Sequence, residues 1–224
     1  MRICAISDLH GNLPEIEPCD LLLICGDIMP LSIQFNAILS EQWLKEVFIP
    51  WTEEQLVEQV ILIAGNHDAF MERKSRNAAL ILNTKKLVYL RNESTTYISK
   101  HGELVTIFGT PYCKLFGNWP FMRSPEILKE KYSKIPENVD ILISHDAPQI
   151  GEIGTISEGS WSGTEAGNIW LAEEIKRKKP KWCFCGHIHS GSHEITEYND
   201  TKLVNVSLVD ENYKPTNKPL YVDI

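Results

Sequence analysis

The stretch KWCFCGHIH (residues 181–189) is an apolar run that ends in a glycine and two histidines separated by one residue. Each of four further apolar runs also ends just before a residue able to bind a metal: RICAIS (2–7), LLLIC (21–25), VILIA (60–64) and DILIS (140–144). Continuous rather than alternating apolar runs predict strands that are buried on both faces. Because ligands collect at strand ends in α/β sheets, we expect the polar residues after these runs to converge on one site.

Helix-like stretches alternate with the apolar runs. The spacing predicts a helix over 40–59 interrupted at Pro50, a second over 69–83, and a third that starts at 168 and ends before Pro180. The runs at 95–99 and 104–109 predict a hairpin, and Asn199-Asp200 predicts the turn of another. The expected architecture is an α/β domain, a β-sandwich flanked by helices, formed by residues 1–224 as a single domain.

Composition excludes several classes of protein. The 224 residues carry a net charge of -8, which disfavours an extended footprint on nucleic-acid phosphates. No stretch approaches the ~20 apolar residues of a membrane span, and the N-terminus has no signal-peptide pattern, so we expect no membrane contact and a cytoplasmic location. The six cysteines lack CxxC spacing, which predicts reduced core residues rather than ligands.

Two pairs of candidate ligands have the same spacing. Asp8 and His10 are separated by one residue, as are His187 and His189, and an extended backbone would direct both members of each pair to one side. Asp27, Asn66 and His145 bring the set to seven, more than one tetrahedral ion needs. The set predicts two metal ions about 3.5–4 Å apart that share a bridging carboxylate, activate a water and supply the positive charge that phosphate chemistry requires.

Five motifs in order resemble the signature of the calcineurin-like metallophosphoesterase superfamily: DLH (8–10), GD (26–27), GNHD (65–68), SHD (144–146) and GHIH (186–189). The resemblance implies a four-layer α-β-β-α fold. It also implies that one ion is bound by Asp8, His10 and His189, that the other is bound by Asn66, His145 and His187, and that Asp27 bridges them. His67 then falls on the family's non-ligand histidine, which contacts phosphate and protonates the leaving oxygen, and Asp68 is placed to orient that imidazole.

Two other stretches, GTPYCKLFGNWPF (109–121) and residues 205–224, resemble small metallophosphoesterase-domain proteins related to class III cyclic-nucleotide phosphodiesterases. GDIMP lacks the Asp or Arg that protein phosphatases often place after GD, which disfavours a Ser/Thr phosphatase. The expected reaction is hydrolysis of a small phosphodiester, a cyclic nucleotide among the candidates, or of a phosphomonoester, by attack of a metal-bridging hydroxide. Mn²⁺ is expected to support activity in vitro, and Fe, Zn²⁺ and Ni²⁺ also suit mixed N/O ligands.

Two alternatives remain open at this point. A non-catalytic interaction module would be marked by a missing ligand, and none of the seven is missing. A nuclease acting on short oligonucleotides also remains. The long loops 110–125 and 151–167 are candidates for lining the site, and their aromatic residues either stack on a base or pack on the body. These aromatic residues are Phe116, Trp119, Phe121 and Trp161.

Three features have simpler explanations than a role in the site. His101 is predicted to lie in a hairpin turn, and His193 is predicted to be a solvated strand residue. The basic run at 176–181 is expected to be a solvated helix end, where cations favour the helix dipole.

Overall fold

A computed structural model describes residues 1–100 and 102–224, so the turn predicted at His101 lies outside the described residues. Within them the strands are β1 (Arg2–Ile6), β2 (Cys19–Ile24), β3 (Val57–Leu62), β4 (Leu87–Tyr89), β5 (Glu93–Ile98), β6 (Leu104–Thr110), β7 (Cys113–Lys114), β8 (Met122–Arg123), β9 (Ile141–Ser144), β10 (Trp182–Cys185), β11 (Thr196–Tyr198), β12 (Thr201–Asn205) and β13 (Leu220–Asp223). The α-helices are α1 (Ala37–Trp43), α2 (Ile49–Glu54), α3 (Ala69–Arg73), α4 (Ser75–Leu82), α5 (Pro125–Tyr132) and α6 (Ile169–Lys178). A π-helical segment (Leu44–Phe48) joins α1 to α2, and short 3₁₀ turns lie at Gly151–Gly154 and Gly159–Trp161.

The strands form two main sheets. The first has the order β13-β1-β2-β3-β4 and the second the order β11-β12-β10-β9-β6-β5, while β7 pairs only with β8 within the described residues. The central pairs are parallel, and the edge strands β13, β11 and β5 are antiparallel to their neighbours. Each of the five apolar runs is an interior strand of a sheet, namely β1, β2, β3, β9 or β10. This position explains why they are apolar on both faces.

Alternate side chains of each strand enter two different hydrophobic clusters. Ile3 of β1 and Phe184 of β10 belong to the cluster between the sheets. Their neighbours Cys4 and Cys183 face away from the other sheet and belong to a second cluster. This cluster includes side chains from the helices, such as Phe48 and Leu171. The two sheets therefore pack face to face with helices outside each, which confirms the predicted four-layer α-β-β-α fold. That residues 1–224 form a single domain stays a prediction.

Two predicted helices differ from the observed ones. The first runs from 37 to 54, because residues 57–59 already belong to β3. Pro50 does not interrupt this helical region, because it lies in the first turn of α2, where proline is tolerated. Just before Pro50, the Ile49 N–H donates to the Leu44 carbonyl in a wider π turn. The helix predicted over 69–83 is divided at Lys74 into α3 and α4.

The predictions of the third helix and of the two hairpins are confirmed, whereas the basic end of α6 is solvated only in part, because Lys178 is 8% exposed. Asn168 caps α6 by accepting from the N–H groups of Trp170 and Leu171, and Lys176, Arg177 and Lys178 occupy its last turn. The β5–β6 and β11–β12 pairs are the two expected hairpins. No helix among the described residues combines the length and the apolar character needed to cross a membrane.

Candidate metal centre

The candidate ligands lie in the loops that leave the carboxyl ends of β1, β2, β3, β9 and β10. Four of them have a left-handed backbone, with φ of 55° at Asp8, 45° at His10, 53° at Asp27 and 70° at His187. The prediction that an extended backbone aligns each pair is therefore wrong. The chain turns sharply just after β1, β2 and β10, and Asp and His are among the residues that tolerate this conformation best.

The first cluster joins Asp8, His10 and His189, whose ligand atoms lie within 4.8 Å of one another. Asp8 Oδ1 is 3.4 Å from His189 Nε2. The Nδ1–H of His189 donates to the Asp210 carbonyl at 3.0 Å, which leaves Nε2 as the free ligand atom. Both ring nitrogens of His10 are buried, and neither has a hydrogen-bond partner among the residues that the structure describes. A buried imidazole without a partner costs free energy unless an ion binds it.

The second cluster contains Asn66, His145 and His187. His145 Nδ1 donates to the Cys25 carbonyl at 2.9 Å, and its Nε2 lies 2.9 Å from Asn66 Oδ1. The His187 ring centre is 5.1 Å from that of His145. The buried Cys113 Sγ also lies within 4.8 Å of ligand atoms of His145 and His187. All six cysteines are free, and Cys19 alone among them is only half-buried, so the prediction of reduced core residues holds best for the other five.

Asp27 lies between the two clusters. Its Oδ2 is 3.8 Å from His10 Nε2 on one side and 3.4 Å from His145 Nε2 on the other. Its Oδ1 accepts from the His67 N–H at 2.7 Å, which fixes the rotation of the carboxylate. Asp8, Asp27 and His145 form a further group whose ligand atoms lie within 4.8 Å of one another. A single carboxylate therefore faces histidines from both clusters.

Burial and charge set the protonation of these groups. Burial lowers the pKa of His10 to about 4 and that of His187 to about 3, so both are neutral and available as ligands at neutral pH. Burial would also lower the pKa of His145, but the Asp27 and Asp8 carboxylates and the Cys25 carbonyl together outweigh it and raise that pKa to about 10. Burial opposes ionisation of Asp27, yet the charge of His145 holds the pKa of this carboxyl below its usual value.

Two glycines leave room for the carboxylates. A Cβ on Gly65 would lie 2.7 Å from Asp27 Cγ and 2.5 Å from His145 Cε1, and one on Gly186 would overlap the carboxylate of Asp8. Gly26 has a φ of 99°, which other residues rarely adopt. The mixed N/O donors, the unpartnered nitrogens of His10 and these close approaches fit a pair of divalent cations.

His67 lies beside the clusters, but its neighbour Asp68 does not orient it. The Asp68 carboxylate accepts from the backbone N–H groups of Gly65 at 2.8 Å and Met29 at 3.0 Å. The partner of His67 Nδ1 is instead Gln34 Oε1, at 2.6 Å. The prediction for Asp68 is therefore wrong, because this carboxylate joins two backbone loops. Gln34 was missed, since no local pattern links it to His67.

A cavity of about 570 Å³ opens above the two clusters. Phe116 and Trp161 line it and are 63% and 72% exposed, and the Phe116 ring lies 5.5 Å from that of His187. The Trp119 ring packs against His67, with ring centres 4.6 Å apart, and Phe121 is fully buried. Lys114 supplies a cation at the cavity wall.

Tyr213 is a second residue that sequence reasoning missed. Its ring lies 4.9 Å from that of His10 and 5.2 Å from that of His189, and it lines the same cavity. Its only sequence signal is a position in the tail stretch 205–224 that resembles other small metallophosphoesterase-domain proteins. His193, predicted to be a solvated strand residue, is half-buried in the loop before β11, where its Nε2 lies 2.9 Å from Asn217 Nδ2.

The SHD motif also holds the cavity wall in place. Asp146 Oδ2 accepts from the Lys114 N–H at 2.8 Å and from Asn168 Nδ2 at 2.7 Å. The fully buried Asp146 carboxyl thus joins the end of β9 to the loop 110–125 and to the start of α6.

The fold is a four-layer α-β-β-α sandwich, and two clusters of candidate metal ligands lie at the carboxyl ends of its strands. The family model for calcineurin-like phosphoesterases matches residues 1–191, and the chain belongs to this family.

The chain is similar in sequence to two curated proteins and in fold to a solved structure. The chain is 28% identical over 244 aligned positions to metallophosphoesterase domain-containing protein 1 of Homo sapiens, with 100% of this chain and 71% of that protein covered. It is 26% identical to probable rhamnogalacturonate lyase C of Emericella nidulans, covering 85% of this chain but only 17% of that protein. Phosphopantetheinyl hydrolase of Mycobacterium tuberculosis shares the fold, with a TM-score of 0.60, 15% identity and coverage of 94% of this chain and 90% of that one.

Proposed function

We propose that the protein is a dinuclear-metal-dependent phosphoesterase that hydrolyses small phosphodiesters, nucleotides among them. The observation that carries this proposal is the position of Asp27, whose Oδ2 lies within 4.0 Å of nitrogens of His10 and His145. A carboxylate between two groups of imidazoles is the arrangement that a bridged pair of ions requires.

The family and the geometry together support one assignment of the ligands. Asp8, His10 and His189 would hold one ion, Asn66, His145 and His187 would hold the other, and Asp27 would be shared. When bound, such a pair of ions supplies a nucleophilic hydroxide at neutral pH and neutralises charge on the phosphoryl oxygens.

The chain's own groups carry out the rest of the reaction. His67 Nε2 lies 4.0 Å from Asp27 Oδ2, so this nitrogen is directed towards the candidate ligands rather than the body of the protein. In its protonated form it donates a proton to the leaving oxygen, a contribution of about 10²–10⁴ in rate for a well-placed general acid. Phe116 and Trp161 offer exposed aromatic faces to a flat substituent such as a base.

The alternatives have less support. The net charge of -8 disfavours a nuclease that follows a long phosphate backbone. The non-catalytic module would lack part of the ligand set, whereas here all seven candidate ligands are present and lie in overlapping groups that share Asp8 and His145. A small diester also fits a cavity of about 570 Å³ better than a polymer does.

A substrate panel with Mn²⁺ tests the proposal. It contains bis-p-nitrophenyl phosphate, p-nitrophenyl phosphate and the 2′,3′- and 3′,5′-cyclic nucleotides. We expect higher kcat/KM on the diesters than on the monoester, and loss of both activities after chelation. Repeating the panel with Fe²⁺, Zn²⁺ and Ni²⁺ identifies the preferred ion. If the metal-loaded protein were inactive on every ester, the interaction module would replace the enzyme.

A further inference from the structure

Three neighbouring side chains contact the imidazole of His67 and fix its position. Gln34 Oε1 lies 2.6 Å from Nδ1, and both residues are buried, at 9% and 7% exposure. The ring edge meets His10 with ring centres 4.8 Å apart, and one face packs against Trp119. Within the described residues, no other hydrogen-bond partner of the His67 ring is found.

Gln34 is itself fixed by the turn between β2 and α1. The Asn36 N–H donates to the Ile33 carbonyl at 2.8 Å, and the buried Ser40 hydroxyl donates to the same carbonyl at 3.0 Å. The Asp68 carboxylate holds Met29, at the start of this turn, to Gly65 in the loop that carries His67. Asp68 therefore links the two loops directly, which favours a fixed distance between the amide and the imidazole.

We propose that Gln34 is the positioning residue for His67, in the role that the neighbouring Asp68 was expected to fill. Its amide oxygen accepts the Nδ1–H, so Nε2 is the ring nitrogen directed towards Asp27 and the substrate. An uncharged amide sets the orientation of the ring without adding a third negative charge to a site that already contains the carboxylates of Asp8 and Asp27. This inference rests on the proposed function, because it assigns the leaving-group proton to Nε2.

Kinetics on two diesters test the role. A nitrophenyl diester has a good leaving group that needs little protonation, whereas an alkyl diester has a poor one. We expect Gln34→Ala to lower kcat on the alkyl diester by roughly 10- to 100-fold and on the nitrophenyl diester by less than about threefold, with similar KM values. Gln34→Glu keeps an acceptor of the same length and is expected to recover most of the loss. Gln42→Ala, on the exposed side of α1, is the matched control.

A double-mutant cycle separates positioning from a general structural effect. In a His67→Ala background, Gln34→Ala should cause no further loss on the alkyl diester, because the ring it positions is gone. Equal losses on both diesters, or a full additional loss in that background, would overturn the proposal.

NMR provides a readout that does not depend on activity. The full chain, labelled with ¹⁵N at histidine and loaded with diamagnetic Zn²⁺, should show His67 as a single tautomer with its proton on Nδ1. Gln34→Ala should give a mixture of tautomers. A wild-type proton on Nε2 alone would contradict the proposal. If the wild type hydrolyses neither diester, the proposed function fails, and the tautomer measurement still decides how Gln34 holds the ring.

Discussion

Gly65→Ala is expected to remove metal from the site while leaving the fold in place. The added Cβ would lie 2.5 Å from His145 Cε1 and 2.7 Å from Asp27 Cγ, whereas real Cβ atoms essentially never approach closer than 3.0 Å. His145 must therefore move by at least about 0.5 Å, more than the ~0.2 Å over which metal–ligand distances vary. The ring cannot give way easily, because it is fully buried and bound to the Cys25 carbonyl.

Two costs follow from this displacement. Crowding in a packed interior typically costs about 1–3 kcal/mol of unfolding free energy. Misplaced ligands should lower metal affinity by about 10- to 100-fold or more, and activity by about 100-fold. Elemental analysis after dialysis against Mn²⁺ should find two ions per wild-type chain and at most one in the variant.

The control for Gly65→Ala is Gly159→Ala. Gly159 has a φ of 72° and nothing within 4 Å of an added Cβ. This change introduces backbone strain of about 1–2 kcal/mol without crowding a ligand, so it should destabilise the protein and keep both ions. If Gly65→Ala bound two ions with wild-type affinity, the argument from close approach would be wrong.

Three further predictions concern the shared carboxylate, the α6 cap and the protons of the site. Asp27→Asn keeps one side-chain oxygen, and asparagine also tolerates the left-handed backbone. Elemental analysis of this variant should show the loss of at least one ion per chain. Retention of both ions would exclude a bridging role for Asp27. Asn168→Ala removes the α6 cap and a hydrogen-bond partner of the buried Asp146, so it should lower the free energy of unfolding by about 2–4 kcal/mol in urea titrations. Asn36→Ala, which removes only the cap of α1, should lower it by about 1 kcal/mol. Because the Asp27 and Asp8 carboxylates and the Cys25 carbonyl together outweigh burial and raise the pKa of His145 to about 10, this imidazole is protonated near neutral pH in the metal-free protein and must release that proton to bind an ion. Mn²⁺ affinity should therefore rise with pH towards that pKa, and titration heats should differ between Tris and HEPES; identical heats would contradict the assignment.

The apolar runs predicted both the sheets and the place where the site lies. Interior parallel strands require continuous apolar sequence, and their carboxyl ends must meet, so Asp8, Asp27 and His145 could be placed together without knowledge of the loops. The division of His187 and His189 between two clusters came from the resemblance rather than from spacing. Spacing alone suggested an extended backbone, which the left-handed turns contradict.

The partners of the candidate site residues could not be predicted from local sequence. Adjacency suggested that Asp68 orients His67, but in a tight turn neighbouring side chains diverge, and Asp68 instead accepts from the Gly65 N–H three residues earlier. Gln34 reaches His67 across 33 residues, and Tyr213 comes from the far end of the chain. Such contacts depend on how loops pack after the sheets have formed, and apolar periodicity carries no information about that.

The left-handed backbone at Asp8, His10, Asp27 and His187 changes how mutational scans of this protein should be designed. Alanine at these positions removes a side chain and also adds backbone strain, so its effect on abundance mixes two causes. Glycine removes the side chain and relieves the strain. A scan that pairs the two substitutions would let the difference between them report the backbone strain at each position, once the greater freedom of glycine in the unfolded chain is allowed for.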